Sequence, residues 1–115
     1  MNFELEKTEK YTVIKLLCEK LDSNIAPFLK SELVILNSDG VKNIIIDMAL
    51  TRYSDSSGLS AILVANRLCK NSNGVLVLCN LQDPVKKLIA ISQLDTILSI
   101  TNTLDEAKKL IPVHV

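Results

Sequence analysis

The chain predicts an α/β fold in which a mixed sheet of mostly parallel strands is covered by helices. Three observations carry that expectation. Short apolar runs at 44–50 and 75–79, rich in Ile, Val and Leu, have the composition of strands covered on both faces. Segments with apolar residues at helical spacing alternate with them. Turn and capping residues (Asp39-Gly40, Asn73-Gly74, Asp83-Pro84 and Thr103) separate the two kinds of segment. Strands alternating with helices argue for parallel crossovers, with a first hairpin strand at one edge.

Each element follows from its own residues. Phe3-Glu4-Leu5-Glu6-Lys7 alternates and reads as a strand, and 11–18 is rich in strand formers and reads as a second. Glu9-Lys10 between them makes a hairpin. Asp22-Ser23-Asn24 is a helix-start cluster, and Pro27 falls in the first turn, where its missing N–H does little harm. Ile25, Phe28, Leu29, Leu33 and Leu36 recur at helical spacing until Asp39-Gly40 stops the helix. The run at 44–50 is the third strand. A long helix starts near Ser56 with Leu59, Ile62, Leu63 and Cys69 on one stripe, widened by Ala61, Val64, Ala65 and Leu68, so it is largely buried. Asn73-Gly74 turns into the strand at 75–79. Asp83-Pro84 supplies a cap and first residue for a helix whose apolar face is Val85, Leu88 and Ile89. A short strand at 97–100 follows. Thr103-Leu104-Asp105-Glu106 fits a capping box, in which cap hydroxyl and Glu each bond the other's backbone N–H. Leu104, Ala107 and Ile111 then face inward. The order is β-β-α-β-α-β-α-β-α, read as one domain over residues 1–115 without repeat or linker.

Composition narrows the function classes. Of 115 residues, 48% are apolar and 3% aromatic, so Ile, Leu and Val must fill the core. Thirteen basic residues balance thirteen acidic ones, which leaves no electrostatic footprint for direct binding of nucleic acid or an anionic membrane. The apolar runs fall short of the roughly 18 residues of a membrane span. The alternating, acidic start does not fit a signal peptide, and a cytoplasmic protein is expected. Cys18, Cys69 and Cys79 are well separated, and His114 is the one histidine, so no zinc site and no cofactor are expected. Reduced, buried thiols are the expected state. No G-x-S-x-G and no G-x-x-x-x-G-K-[ST] occurs, and the single imidazole is next to the last residue. A serine hydrolase or nucleotide-cradling enzyme is thereby disfavoured, and the protein is read as performing no chemistry itself.

The most informative stretch is 53–61, Tyr-Ser-Asp-Ser-Ser-Gly-Leu-Ser-Ala, between a buried strand and a long helix. It puts two adjacent hydroxyls, Ser56 and Ser57, where a helix begins. The first turn leaves backbone N–H groups unpaired and carries partial positive charge, which favours an anion. A phosphoryl group there would add about −1.5 to −2 charges. The plainer reading is capping, since any strand-to-helix turn favours Asp, Ser and Gly.

Taken together, these pieces resemble a STAS domain of the anti-sigma factor antagonist type. The resemblance covers most of the chain. It rests on Asp55-Ser56-Ser57-Gly58-Leu59 after the strand, with Leu21-Asp22 and Ala26-Pro27 before the first helix. Gly74-Val75-Leu76-Val77-Leu78, Pro84-Val85-Lys86-Lys87-Leu88, Leu94-Asp95 and Asp105-Glu106-Ala107 follow in order. It implies the STAS fold and a partner-switching role. Ser57, immediately before the glycine, would be the phosphoacceptor, with Ser56 as its competitor. A cognate anti-sigma factor would act on it as an ATP-dependent serine kinase. The unphosphorylated form would bind that kinase and release a sigma factor, and a serine phosphatase would restore it. Asp55 would cap the helix, and Asp22, near the same end of the sheet, would join it in repelling phosphate. Gly58 would leave room for a partner backbone. The expected contact surface comprises Asp22, Ser54, Asp55, Ser56, Gly58, Leu59, Ala61, Val64 and Ala65. Glu19, Ser54 and Gln93 depart from the family pattern, which commonly has glycine, an apolar residue and glycine there. The alternative is an unmodified assembly subunit of a lipid-transport or stress-signalling complex.

Overall fold

The computed structural model describes residues 2–112. Strands β1 (Phe3–Lys7) and β2 (Thr12–Leu16) form an antiparallel hairpin. A two-residue strand, β3 (Lys20–Leu21), leads to helix α1 (Ala26–Ser38). Then come β4 (Ile44–Asp47), a second two-residue strand β5 (Tyr53–Ser54), and the long helix α2 (Ser56–Asn71). The chain continues through β6 (Leu76–Cys79), α3 (Asp83–Ile91), β7 (Ser99–Thr101) and α4 (Leu104–Lys109). The main sheet has the order β1-β2-β4-β6-β7, with every pair after the hairpin parallel. The expected mixed, mostly parallel sheet is present.

Strand alternation builds two cores. Ile14, Ile44, Ile46, Leu76 and Leu78 point to one face, where they pack with Leu29 and Leu33 of α1, Ile62 of α2 and Ile89 of α3. Val13, Ile45, Val77 and Cys79 point to the other, under Ala107 and Ile111 at the C-terminal helix. Because side chains alternate with period two and both faces are covered, all four residues of β4 and of β6 are buried. Thr103 and Glu106 form both bonds of the capping box. Buried Asn43 joins the starts of three segments: its amide donates to Lys10 O at 3.0 Å, and its carbonyl accepts from Val75 N at 2.9 Å.

Several boundaries differ from expectation for local reasons. The second strand occupies 12–16 of the expected 11–18. The strand expected over 44–50 ends at Asp47, whose Oδ1 accepts from Ala49 N at 3.0 Å and folds the chain into a turn. Leu50 is consequently 50% exposed. The strand expected over 97–100 is displaced to 99–101. A single 3₁₀ turn at Leu94–Thr96 takes up the preceding residues, and Leu98 N bonds back to Leu94 O at 2.9 Å. Asp83 is the first residue of α3, with Gln82 at its cap. At α1 the cap position is Ile25, and Asp22 instead makes the turn before it, its Oδ1 accepting from Asn24 N at 3.0 Å. His114 lies outside the described residues.

Candidate functional site

The site grows from the way the chain leaves β4. After the Asp47 turn it runs alongside the segment that follows β2, in the same direction. Thr51 Oγ1 donates to Cys18 O at 2.9 Å, and Arg52 N and Tyr53 N donate to Glu19 O at 2.8 and 3.2 Å. Strand β5 then pairs in parallel with β3, Lys20 beside Tyr53 and Leu21 beside Ser54. The Ser54 hydroxyl closes this small sheet by donating to Leu21 O at 3.0 Å. An apolar residue there would leave that donor out, so the departure from the family pattern has a structural use. Glu19 lies 3.9 Å from Arg52 on the surface, an exposed pair of small energetic weight.

Asp55 has extended backbone, and its carboxylate accepts from Gly58 N at 3.1 Å, so it is the cap that the sequence predicts. Gly58 has a different role from the one expected. It is buried, and a Cβ there would collide with Leu21 O and the Ser54 hydroxyl. The missing side chain makes room for this chain's own β3, not for a partner backbone. The first turn of α2 is thereby seated directly on the small sheet.

The turn at Asp22 brings the head of α1 alongside. Ile25 N and Ala26 N donate to Asp22 O at 3.1 and 2.8 Å, which places Ser23, Ala26, Pro27 and Lys30 opposite Ser56, Ser57 and Ser60. These seven residues line an open groove of ≈ 420 Å³ between the two helix heads. Ser56 is exposed and Ser57 half-buried at its rim. Four hydroxyls and one ammonium line it; no carboxylate does. Asp22 and Asp55, expected to repel phosphate, have their carboxylates turned to backbone N–H groups of their own turns.

The expected contact surface is therefore corrected in part. Asp22, Ser54, Asp55, Ser56 and Ser57 do come together around the head of α2. Leu59, Ala61 and Ala65 are buried in the core, as is Gly58, and none of them is presented to a partner. The physical reason is helix packing: the apolar stripe of α2 is spent on α1 and the sheet. Val64, two turns below Ser57 on the same side of the helix, stays half-buried. Sequence reasoning missed Ser23, Pro27 and Lys30. Helical spacing could have found Lys30, which stands one turn beyond Pro27 on α1. Exposed apolar side chains near the start of α1 and on β5 include Phe28, 61% exposed beside Pro27, and Tyr53, 49% exposed; Val34 and Ile35 are exposed farther along α1.

The three thiols lie elsewhere. Burial pushes Cys69 up to about 11 and Cys79 up to about 12, the latter helped by the nearby Asp47 charge. Cys18 is half-buried and shifted the same way by burial. Among the described residues no cluster of three His, Cys, Asp or Glu side chains could hold a metal ion, and no helix is long and apolar enough to cross a membrane.

Known proteins share this architecture. BtrV of Bordetella bronchiseptica, named as an anti-sigma factor antagonist, is 28% identical over 87 residues, covering 76% of this chain and 75% of that protein. The structure of a Thermotoga maritima protein named as an anti-sigma factor antagonist superposes with a TM-score of 0.85 at 22% identity, over 95% of this chain and 93% of that one. The Bacillus cell-fate determinant SpoIIAA, solved in its phosphorylated form, gives 0.73 at 26% identity, over 93% and 96%. The family profile described as STAS domain matches residues 2–107. With that match across nearly all of the fold, the chain belongs to the STAS domain family.

Proposed function

We propose that this STAS domain is an anti-sigma factor antagonist whose binding is switched by phosphorylation of Ser57. The observation that carries the reading is the placement of Ser57. It is half-buried at the open rim of a groove, on the first turn of a helix whose cap is already satisfied by Asp55. A phosphoryl group can be added there without breaking a capping bond. The similarity to BtrV and to SpoIIAA in its phosphorylated form supports the same reading.

The partner is an anti-sigma factor that is also a serine kinase. In the transfer, a P–O bond forms to Ser57 Oγ and the bond from the γ-phosphorus to the ADP oxygen breaks. The hydroxyl proton passes to a base on the kinase. A phosphatase reverses this with water. The domain supplies the acceptor and the docking surface, and no catalytic residue. Neutral Ser56 and Ser57 are tolerated at a protein interface, whereas an added dianion brings desolvation cost and repulsion. Phe28 and Tyr53 replace the buried Ala61 and Ala65 as the apolar atoms offered to the partner, rimmed by Asp22, Asp55 and Ser56.

The test is calorimetric titration of the cognate kinase with wild type, Ser57→Ala and Ser57→Asp. Ser57→Ala is expected to bind as wild type and to stay bound when ATP is added. Like-charge juxtaposition at an interface costs several kcal/mol, so Ser57→Asp should weaken binding about a hundredfold or more. Equal affinity of all three, with no phosphate transferred, would favour an unmodified assembly subunit.

A further inference from the structure

We propose that Lys30 is the residue that receives the phosphoryl group on Ser57, holding it inside the groove as an intramolecular ion pair. The inference deepens the reading above and rests on Ser57 as the acceptor. Lys30 and Ser57 line one groove from opposite helices, and Lys30 is its one charged residue. Among the described residues the ion pair present joins Arg52 to Glu19, so the Lys30 ammonium is uncommitted. The neighbouring carboxylates do not compete for it: Asp55 accepts from Gly58 N and Asp22 from Asn24 N. From α2 the groove receives only the hydroxyls of Ser56, Ser57 and Ser60, and from the turn before α1 that of Ser23.

The helices that carry the two groups are held firmly together. Ala26, Leu29 and Leu33 of α1 and Ala61 and Ala65 of α2 are fully or almost fully buried in one core. Small residues at this contact bring the helices close. A lysine there has a long flexible stem and three rotatable donors, suited to a phosphate whose position is set by another residue. The consequence is regulatory. Lys30 offsets part of the new charge, so the phosphorylated form is stable in itself, while the filled groove denies the kinase the open surface of the unmodified form. A phosphatase must draw the group away from the ammonium, so Lys30 also prolongs the phosphorylated state.

The experiment uses full-length protein with phosphoserine installed at position 57 during translation, titrated by ³¹P NMR. An ammonium nearby favours the dianion, so the second phosphate pKa should lie below its ordinary value of about 6. Lys30→Gln should raise it by about half a unit, and Lys30→Arg should restore it. Lys108→Gln, on α4 across the sheet, should leave it unchanged. A midpoint that Lys30→Gln does not move, or that Lys108→Gln moves equally, overturns the assignment. In the unsubstituted chain the Lys30 ammonium resonance should shift on phosphorylation, and an unmoved resonance overturns it too. Because no kinase is involved, this result stands apart from the switch itself. Absence of phosphate in cells contradicts the proposed function, and a flat titration contradicts only the role of Lys30.

Discussion

Gly58 and Gln93 show how much a single backbone position can decide. Gly58 sits against Leu21 O and the Ser54 hydroxyl, so an added methyl has no space without parting α2 from β3. Gly58→Ala is expected to cost about 2 kcal/mol, within the usual range for overpacking. It should lower the thermal midpoint by several degrees and should also displace the Ser57 backbone signals. An unchanged midpoint would mean that the helix head is not seated as described. Gln93 takes the opposite case. Its φ is 59°, a left-handed conformation that disfavours side chains. Gln93→Gly should therefore stabilise the chain by about 0.5–1 kcal/mol in urea unfolding, despite glycine's larger unfolded-state entropy. A loss of stability would show that the Gln93 side chain contributes contacts that outweigh the strain.

Elements with a strong local signature could be read from the chain, and elements made by long-range pairing could not. The hairpin, the four helices and the buried strands at 44 and 76 each announce themselves by period, caps or turns. Asp55 and Thr103 cap as their spacing indicates. The β3–β5 pair could not be seen, because two-residue strands have no period and their partners are 33 residues apart. Yet this pair sets the height of α2 and the surroundings of Ser57. The groove was hidden for the same reason: Lys30 and Ser57 line it together only when α1 and α2 pack. The wide apolar stripe of α2 was correctly read as buried, and that burial is what removes Leu59, Ala61 and Ala65 from the expected contact surface. The position of Ser56 and Ser57 in the first turn of α2 was legible, since the capping aspartate before them is local information.

At the scale of the molecule, two cores on either side of one sheet hold buried thiols, and these make stability depend on alkaline pH. Cys69 and Cys79 titrate at about 11 and about 12 in the folded chain, above the ordinary thiol range of about 8–9. The folded state thus keeps protons that the unfolded state gives up. Their contribution is fully present below about pH 8.5, and it is lost as pH rises through the folded values. Denaturation should show lower stability at pH 10 than at pH 8, and the Cys69→Ala, Cys79→Ala double variant should lose less between the two. An equal loss in both proteins would remove the thiols from the explanation.

The whole domain otherwise works as a rigid mount. The sheet and its helices fix two helix heads and an open groove, and the proposed switch is a charge placed at that groove. The most direct measurement is peptide mass spectrometry of the protein isolated from its native cells, together with the same analysis after incubation with its cognate kinase and ATP. The account predicts one phosphate, on Ser57, and its loss on phosphatase treatment. Phosphate on Ser56 alone, or none on either serine with an active kinase control, would contradict it.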